Sequence, residues 1–165
     1  MNKWFEVKVK YTKQLENGTF KRVVEPYLLC AMTFTDAEAR IYDELVSIIR
    51  GEFSVIGVNP KNYQDIYITE NEDSYFYEVQ VKMQDCNLDS DKIKIVTQTY
   101  LANGDTLPKA LDNISESFKD LVSDFTVVGI KLTSIVDIFP YRESVATEQP
   151  VIEESTIEQP ITEEV

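Results

Sequence analysis

The sequence predicts an α+β protein made of two copies of one β-β-α-β-β unit. The sheets are expected to be mostly antiparallel, each covered by one helix, with a pseudo-two-fold relation between the copies. Three observations carry this. The run Trp4-Phe5-Glu6-Val7-Lys8-Val9-Lys10-Tyr11 returns 72 residues later as Phe76-Tyr77-Glu78-Val79-Gln80-Val81-Lys82-Met83. Phe53-Ser54-Val55-Ile56-Gly57-Val58 returns as Phe125-Thr126-Val127-Val128-Gly129-Ile130, and Asp65-Ile66-Tyr67 as Asp137-Ile138-Phe139, both at offset 72. Between these, Tyr27-Leu28, Ala37 and Ile41 match Tyr100-Leu101, Ala110 and Ile114 at 73, so one register holds across strands and helix alike.

The elements follow in order. Phe5, Val7, Val9 and Tyr11 alternate with Trp4, Glu6, Lys8, Lys10 and Thr12, the period-two pattern of a strand with one face buried and one wet. Glu16-Asn17-Gly18-Thr19 is a hairpin turn, since Asn-Gly accepts the positive φ of tight turns. A second strand is expected over about 20–29. Thr35-Asp36-Ala37-Glu38 has the spacing of a capping box, and the helix after it is expected to bury Ala37, Ile41, Leu45, Ile48 and Ile49. Gly51 stands where a helix-ending glycine belongs. Strands over Phe53–Val58 and Tyr63–Ile68, joined by an Asn59-Pro60-Lys61-Asn62 turn, complete the first unit, 1–69. Residues 70–74 form a polar linker.

The second unit, 75–141, repeats the plan: strands over Tyr75–Met83 and Lys92–Leu101, then a helix with Pro108 in its first turn, where a missing N–H costs nothing. That helix is expected to bury Leu107, Leu111, Ile114, Phe118 and Leu121. Strands over Phe125–Leu132 and Ile135–Phe139 close it, and Pro140 ends it. In the tail, 142–165, Glu148-Gln149-Pro150-Val151-Ile152-Glu153-Glu154 recurs as Glu158-Gln159-Pro160-Ile161-Thr162-Glu163-Glu164. So acidic and repetitive a segment buries too little to offset ordering, and it is expected to be disordered. Units of about 70 residues have marginal cores alone, so the copies are expected to pack together.

The charge is uneven. Of the net −13, residues 142–165 carry −6, with seven Glu against one Arg, whereas residues 1–24 carry a local +4. No apolar run approaches the roughly 18 residues of a membrane span, and the chain enters a strand at once, so a cytoplasmic, membrane-free protein with reduced Cys30 and Cys86 is expected. There is no histidine and no CxxC pair, which removes histidine-dependent triads and thiolate zinc sites. The glycines are isolated and form no phosphate-binding loop. Asp65 and Asp137 are the symmetric carboxylates to suspect of metal binding, though capping a turn is the favoured role. No enzyme activity, cofactor or metal is therefore expected.

What remains is a surface. On the wet faces of the first hairpins stand Trp4, Lys8 and Lys10 with Lys21 or Arg22, then Phe76 and Lys82 with Lys92 and Lys94. Aromatic rings stack bases at roughly 1–3 kcal/mol each while ammonium groups track phosphates, the requirements of a single-strand platform. Phage proteins that coat single-stranded DNA look similar: a compact β-rich body and an acidic tail. This tail ends Thr162-Glu163-Glu164-Val165, without the aromatic anchor that such tails often carry.

The chain also resembles an uncharacterised domain family of Bacteroides-type bacteria and their phages and mobile elements. The likeness lies in Trp4-Phe5-Glu6-Val7-Lys8-Val9, Glu25-Pro26-Tyr27-Leu28, Phe34-Thr35-Asp36-Ala37-Glu38-Ala39-Arg40, Gly51-Glu52-Phe53 and Asp137-Ile138-Phe139-Pro140-Tyr141. It implies no activity. The expectation is a non-enzymatic single-stranded nucleic-acid-binding protein, with Glu153, Glu154, Glu163 and Glu164 of the tail recruiting a protein partner. Homo-oligomerisation is compatible with the exposed sheet. The rival readings are an acidic interaction or inhibitor module that mimics nucleic acid, and a small-ligand sponge with a pocket between the repeats.

Overall fold

The computed structural model describes residues 2–70, 74–85, 92–120 and 124–142. Ten elements follow one another: β1 (Lys3–Gln14), β2 (Phe20–Ala31), α1 (Phe34–Leu45), β3 (Phe53–Lys61), β4 (Ile66–Tyr67), β5 (Tyr75–Asp85), β6 (Lys94–Gly104), α2 (Leu107–Phe118), β7 (Phe125–Leu132) and β8 (Ile138–Phe139). They form two four-stranded sheets, ordered β3-β1-β2-β8 and β4-β6-β5-β7. The duplicated α+β architecture therefore stands. The tail glutamates Glu153, Glu154, Glu163 and Glu164, together with Cys86 and Leu121, lie outside the described residues.

The last strand of each repeat belongs to the other repeat's sheet. β8 runs parallel to β2, with Leu28 opposite Ile138, and β4 runs parallel to β6, with Ile66 opposite Leu101. The exchange is symmetric down to single bonds. Val136 N–H donates to Pro26 O at 2.9 Å and Leu28 N–H to Asp137 O at 3.0 Å. Gln64 N–H donates to Thr99 O at 2.8 Å and Leu101 N–H to Asp65 O at 3.2 Å. The sequence reading closes each unit on its own fourth strand. The structure differs because a two-residue strand carries no local signal for its partner, and the open edges of β2 and β6 each accept the segment that reaches them. Asp65 and Asp137 sit at these crossings, and each accepts the N–H of its successor, Ile66 or Ile138, at 2.8 Å.

Three cores result. Phe5, Val7, Val9, Tyr27, Leu29 and Ala31 pack under Ala37, Ile41 and Leu45 of α1. Tyr77, Val79, Val81, Tyr100 and Ala102 pack under Ala110, Ile114 and Phe118 of α2. The third core joins the repeats: Leu28, Tyr63, Leu101, Ile135 and Ile138, flanked by Trp4, Ile66 and Phe76. Its members pair off by the internal repeat, Trp4 with Phe76, Leu28 with Leu101, Tyr63 with Ile135, Ile66 with Ile138. The copies thus bury equivalent surfaces against each other, as marginal half-domains must.

Several local expectations shift. α1 is capped two residues earlier than the Thr35 spacing suggests: Thr33 Oγ1 accepts from Asp36 N–H at 3.1 Å, while Asp36 accepts from Met32 N–H at 2.9 Å. Thr106 caps α2 in the same way, and the Thr33–Thr106 match at offset 73 was the legible clue. Because α1 ends at Leu45, Ile48 is 56 % exposed; Leu107 at the start of α2 is 42 % exposed. β3 runs through Pro60 to Lys61, where a turn was expected; as an edge strand it tolerates the missing donor.

The exchange is clasped by Arg40 of α1. Its guanidinium donates to Cys30 O and, at 3.3 Å, to Pro140 O, and it lies 5.1 Å over the Tyr141 ring. In the second repeat Asn113 donates to Asn103 O at 2.7 Å, and the buried Asn103 bonds Thr69 and Ser74. Burial pushes the Cys30 thiol up, partly countered by a backbone hydrogen bond from Tyr141.

Candidate nucleic-acid interface

Cross-strand partners share a sheet face, so register decides which side chains stand together. On the first sheet the face away from α1 carries Lys8, Lys10 and Thr12, opposite Pro26, Val24 and Arg22. The alternative between Lys21 and Arg22 is thereby settled as a matter of geometry: Arg22 joins Lys8 and Lys10, whereas Lys21 pairs with Lys13 on the other face. Phe20, opposite Gln14, shares the Arg22 face and is 71 % exposed.

Lys10, Thr12, Phe20 and Arg22 border a hollow of about 490 Å³ at the start of β3, lined also by Tyr11, Arg50 and Phe53, with Glu52 the one acid among the described lining residues. The Asn17-Gly18 turn joins β1 to β2 and so brings Phe20 and Arg22 back beside Lys10 and Thr12. Gly18 takes φ +80°, and Leu15 and Thr19 close the hairpin at 2.8 Å. Gly51, at φ +95°, turns the chain from the end of α1 into β3, and Arg50 beside it lines the same hollow as Lys10 and Thr12 of β1. Ion pairs among the described residues join Lys13 to Glu25, Lys61 to Glu6 and Lys119 to Glu116. Lys8, Lys10, Arg22 and Arg50 take part in none of them; Lys8, Arg22 and Arg50 are exposed and Lys10 is half-buried.

Behind the hollow, Glu25 gathers two phenols and an ammonium group. Tyr11 OH donates to it at 2.7 Å, Tyr27 OH at 3.1 Å and Lys13 Nζ at 3.2 Å. Burial, then the hydrogen bond and charge of Glu25, push the Tyr11 phenol from 10.0 to about 12. Burial and Glu25 raise Tyr27 as well, and burial and Glu78 raise Tyr63. The folded state therefore holds these protons more tightly than the unfolded chain. The Tyr11 contribution is complete below pH 10 and is lost as pH climbs from 10 through about 12, while those of Tyr27 and Tyr63 persist to higher pH. Part of the tyrosinate absorbance should therefore appear late, above pH 10 and together with loss of fold; full ionisation of Tyr11, followed by comparison with Tyr11→Phe, at pH 10 with the fold intact would contradict this.

The other expected contacts scatter. Trp4 and Phe76 are half-buried against the core between the repeats, because the sheets cover each other at that end. Lys82 is exposed on the outward face of the second sheet. Lys94 is in phase with Tyr100 and Ala102 and so falls on the α2 side; Lys92 precedes β6. Two groups were missed, Phe20 and Arg50. Phe20 is legible from its phase with Arg22; Arg50 is brought in by the chain's return after α1. A wider hollow of about 700 Å³ where the repeats meet is lined by Phe76, Asn103, Glu70 and Asp137 among others and has no cation among its described lining residues.

Fold and hollow together define a duplicated, strand-exchanged α+β protein with a cationic, aromatic-edged concavity at the start of β3. The chain belongs to the family described as Domain of unknown function (DUF4494), whose model matches residues 3–141. No curated protein matches it. No helix among the described residues is long and apolar enough to cross a membrane.

Proposed function

We propose that the protein binds single-stranded nucleic acid without chemistry, at the hollow of the first repeat, in the setting of a phage or mobile element. The observation that carries this reading is the convergence of Lys10, Arg22 and Arg50, none in an ion pair among the described residues, around the exposed ring of Phe20. Phosphates meet the cations, with Lys8 extending the track along β1, and a base stacks on Phe20. Of the net −13, residues 142–165 carry −6 and residues 1–141 carry −7, but residues 1–24, which supply Lys10, Phe20 and Arg22, carry a local +4. The tail, 142–165, is the part of the reading assigned to partner recruitment.

The reporter belongs on the oligonucleotide, since Trp4 is packed between the repeats. Labelled oligo-dT should bind more weakly as salt rises, with a slope of about 0.7 per phosphate contact. Replacing Lys10, Arg22 and Arg50 by alanine together should lower that slope by roughly 2. Phe20→Ala should instead weaken binding by about 1–3 kcal/mol with little change in slope. Absence of binding at low salt, or equal binding by the triple variant, would end this reading and favour a protein-interaction module.

A further inference from the structure

The duplication placed the same hollow in the second repeat. There about 410 Å³ is lined by Lys82, Met83, Gln84, Ile95, Asp124, Phe125, Thr126 and Val128. Lys82, Met83 and Gln84 stand where Lys10, Tyr11 and Thr12 stand in the first. Asp124, Phe125 and Thr126 take the places of Glu52, Phe53 and Ser54. The acid and one cation, Lys82, are kept, but the other two cations are not. Ile95, opposite Gln84, occupies the place of Arg22, opposite Thr12. The counterpart of Phe20 is Ile93, 67 % exposed but without an aromatic face. The counterpart of Arg50 in the sequence is Val122, which lies outside the described residues. Among the described lining residues, three cations against one acid have become one against one.

We infer that only the first hollow binds the strand, so that each chain carries one nucleic-acid site, and that the Arg22/Ile95 position decides which repeat is competent. This rests on the reading above and deepens it: the duplicated platform is not doubled in function. The kept Lys82 alone cannot hold a phosphate against Asp124, since an isolated exposed charge pair contributes little. A strand longer than one repeat's face gains no second phosphate track.

The test uses the full chain and oligo-dT just long enough to span one hollow, titrated to saturation with thermal unfolding as a fold control. The wild type should bind one oligonucleotide per chain. Arg22→Ile and Arg22→Gln should each lose about tenfold in affinity, the worth of one charge-assisted contact. Lys82→Ala should lose less than twofold. Ile95→Arg, which rebuilds the first hollow's pair beside Lys82, should raise the bound number towards two. Two oligonucleotides on the wild type, or equal losses from Lys82→Ala and Lys10→Ala, would overturn the inference and leave the nucleic-acid reading standing. No binding by the wild type would overturn that reading and this inference with it.

Discussion

Leu28→Ala and Leu101→Ala are each expected to destabilise the whole chain by about 2–5 kcal/mol, the range for emptying a fully buried leucine site. Both side chains are completely buried in the core between the repeats. Each also sits where an exchanged strand crosses, its own N–H bonded to Asp137 or Asp65. A truncation there loosens a sheet and the strand lent to it at once. The double variant should cost less than the sum, because the two sites line one cluster and can share relaxation. The exchange adds a sharper expectation: neither repeat can unfold without stripping a strand from the other. Denaturant unfolding followed by Trp4 fluorescence and by far-ultraviolet circular dichroism should therefore give one coincident transition for the wild type. Two separated transitions, or losses under about 1 kcal/mol in both variants, would show that the repeats are independent and that this core is not what joins them.

Gly104→Ala is expected to be nearly as damaging, by strain instead of by a cavity. A Cβ at Gly104 would stand 2.5 Å from Ala110 N, 3.0 Å from Ala110 Cα and 3.1 Å from Lys109 C. All three are backbone atoms, so α2 itself must shift off β6, and over-packing of this kind costs about 1–3 kcal/mol or more. The matching position in the first repeat is Ala31, fully buried with its methyl accommodated. The helices therefore sit differently on their sheets. Gly57→Ala is the control: its Cβ would meet only Lys8 side-chain atoms, at 3.8 and 3.9 Å, and stability should hardly change. If both substitutions cost the same, the close approach of α2 to Gly104 is not real.

Part of the candidate site was legible in the sequence. Alternation along β1 put Lys8 and Lys10 on the wet face, where they stand. The phase of β2 was ambiguous between Lys21 and Arg22 because a run of Val23, Val24 and, further on, Leu28 and Leu29 is apolar at both parities; only pairing with β1 resolves it. Trp4 and Phe76 show the opposite limit. Alternation assigns them correctly to the face away from the helices, but whether that face meets water depends on what packs over it. Here the other repeat does, over the end bearing Leu28 and Leu101, and leaves the end bearing Phe20 and Arg22 open.

By itself the sequence determined the duplication, the elements and the two helix-covered cores, because period-two and helical spacings are local and the repeat states each of them twice. The tertiary structure alone decided which sheet receives β4 and β8, which half of each outward face is covered, and how Arg50 comes to meet Lys10 and Arg22. Those outcomes turn on contacts between segments distant in the chain. A two-residue strand or a lone arginine leaves no periodic trace of the partner that long-range packing brings to it.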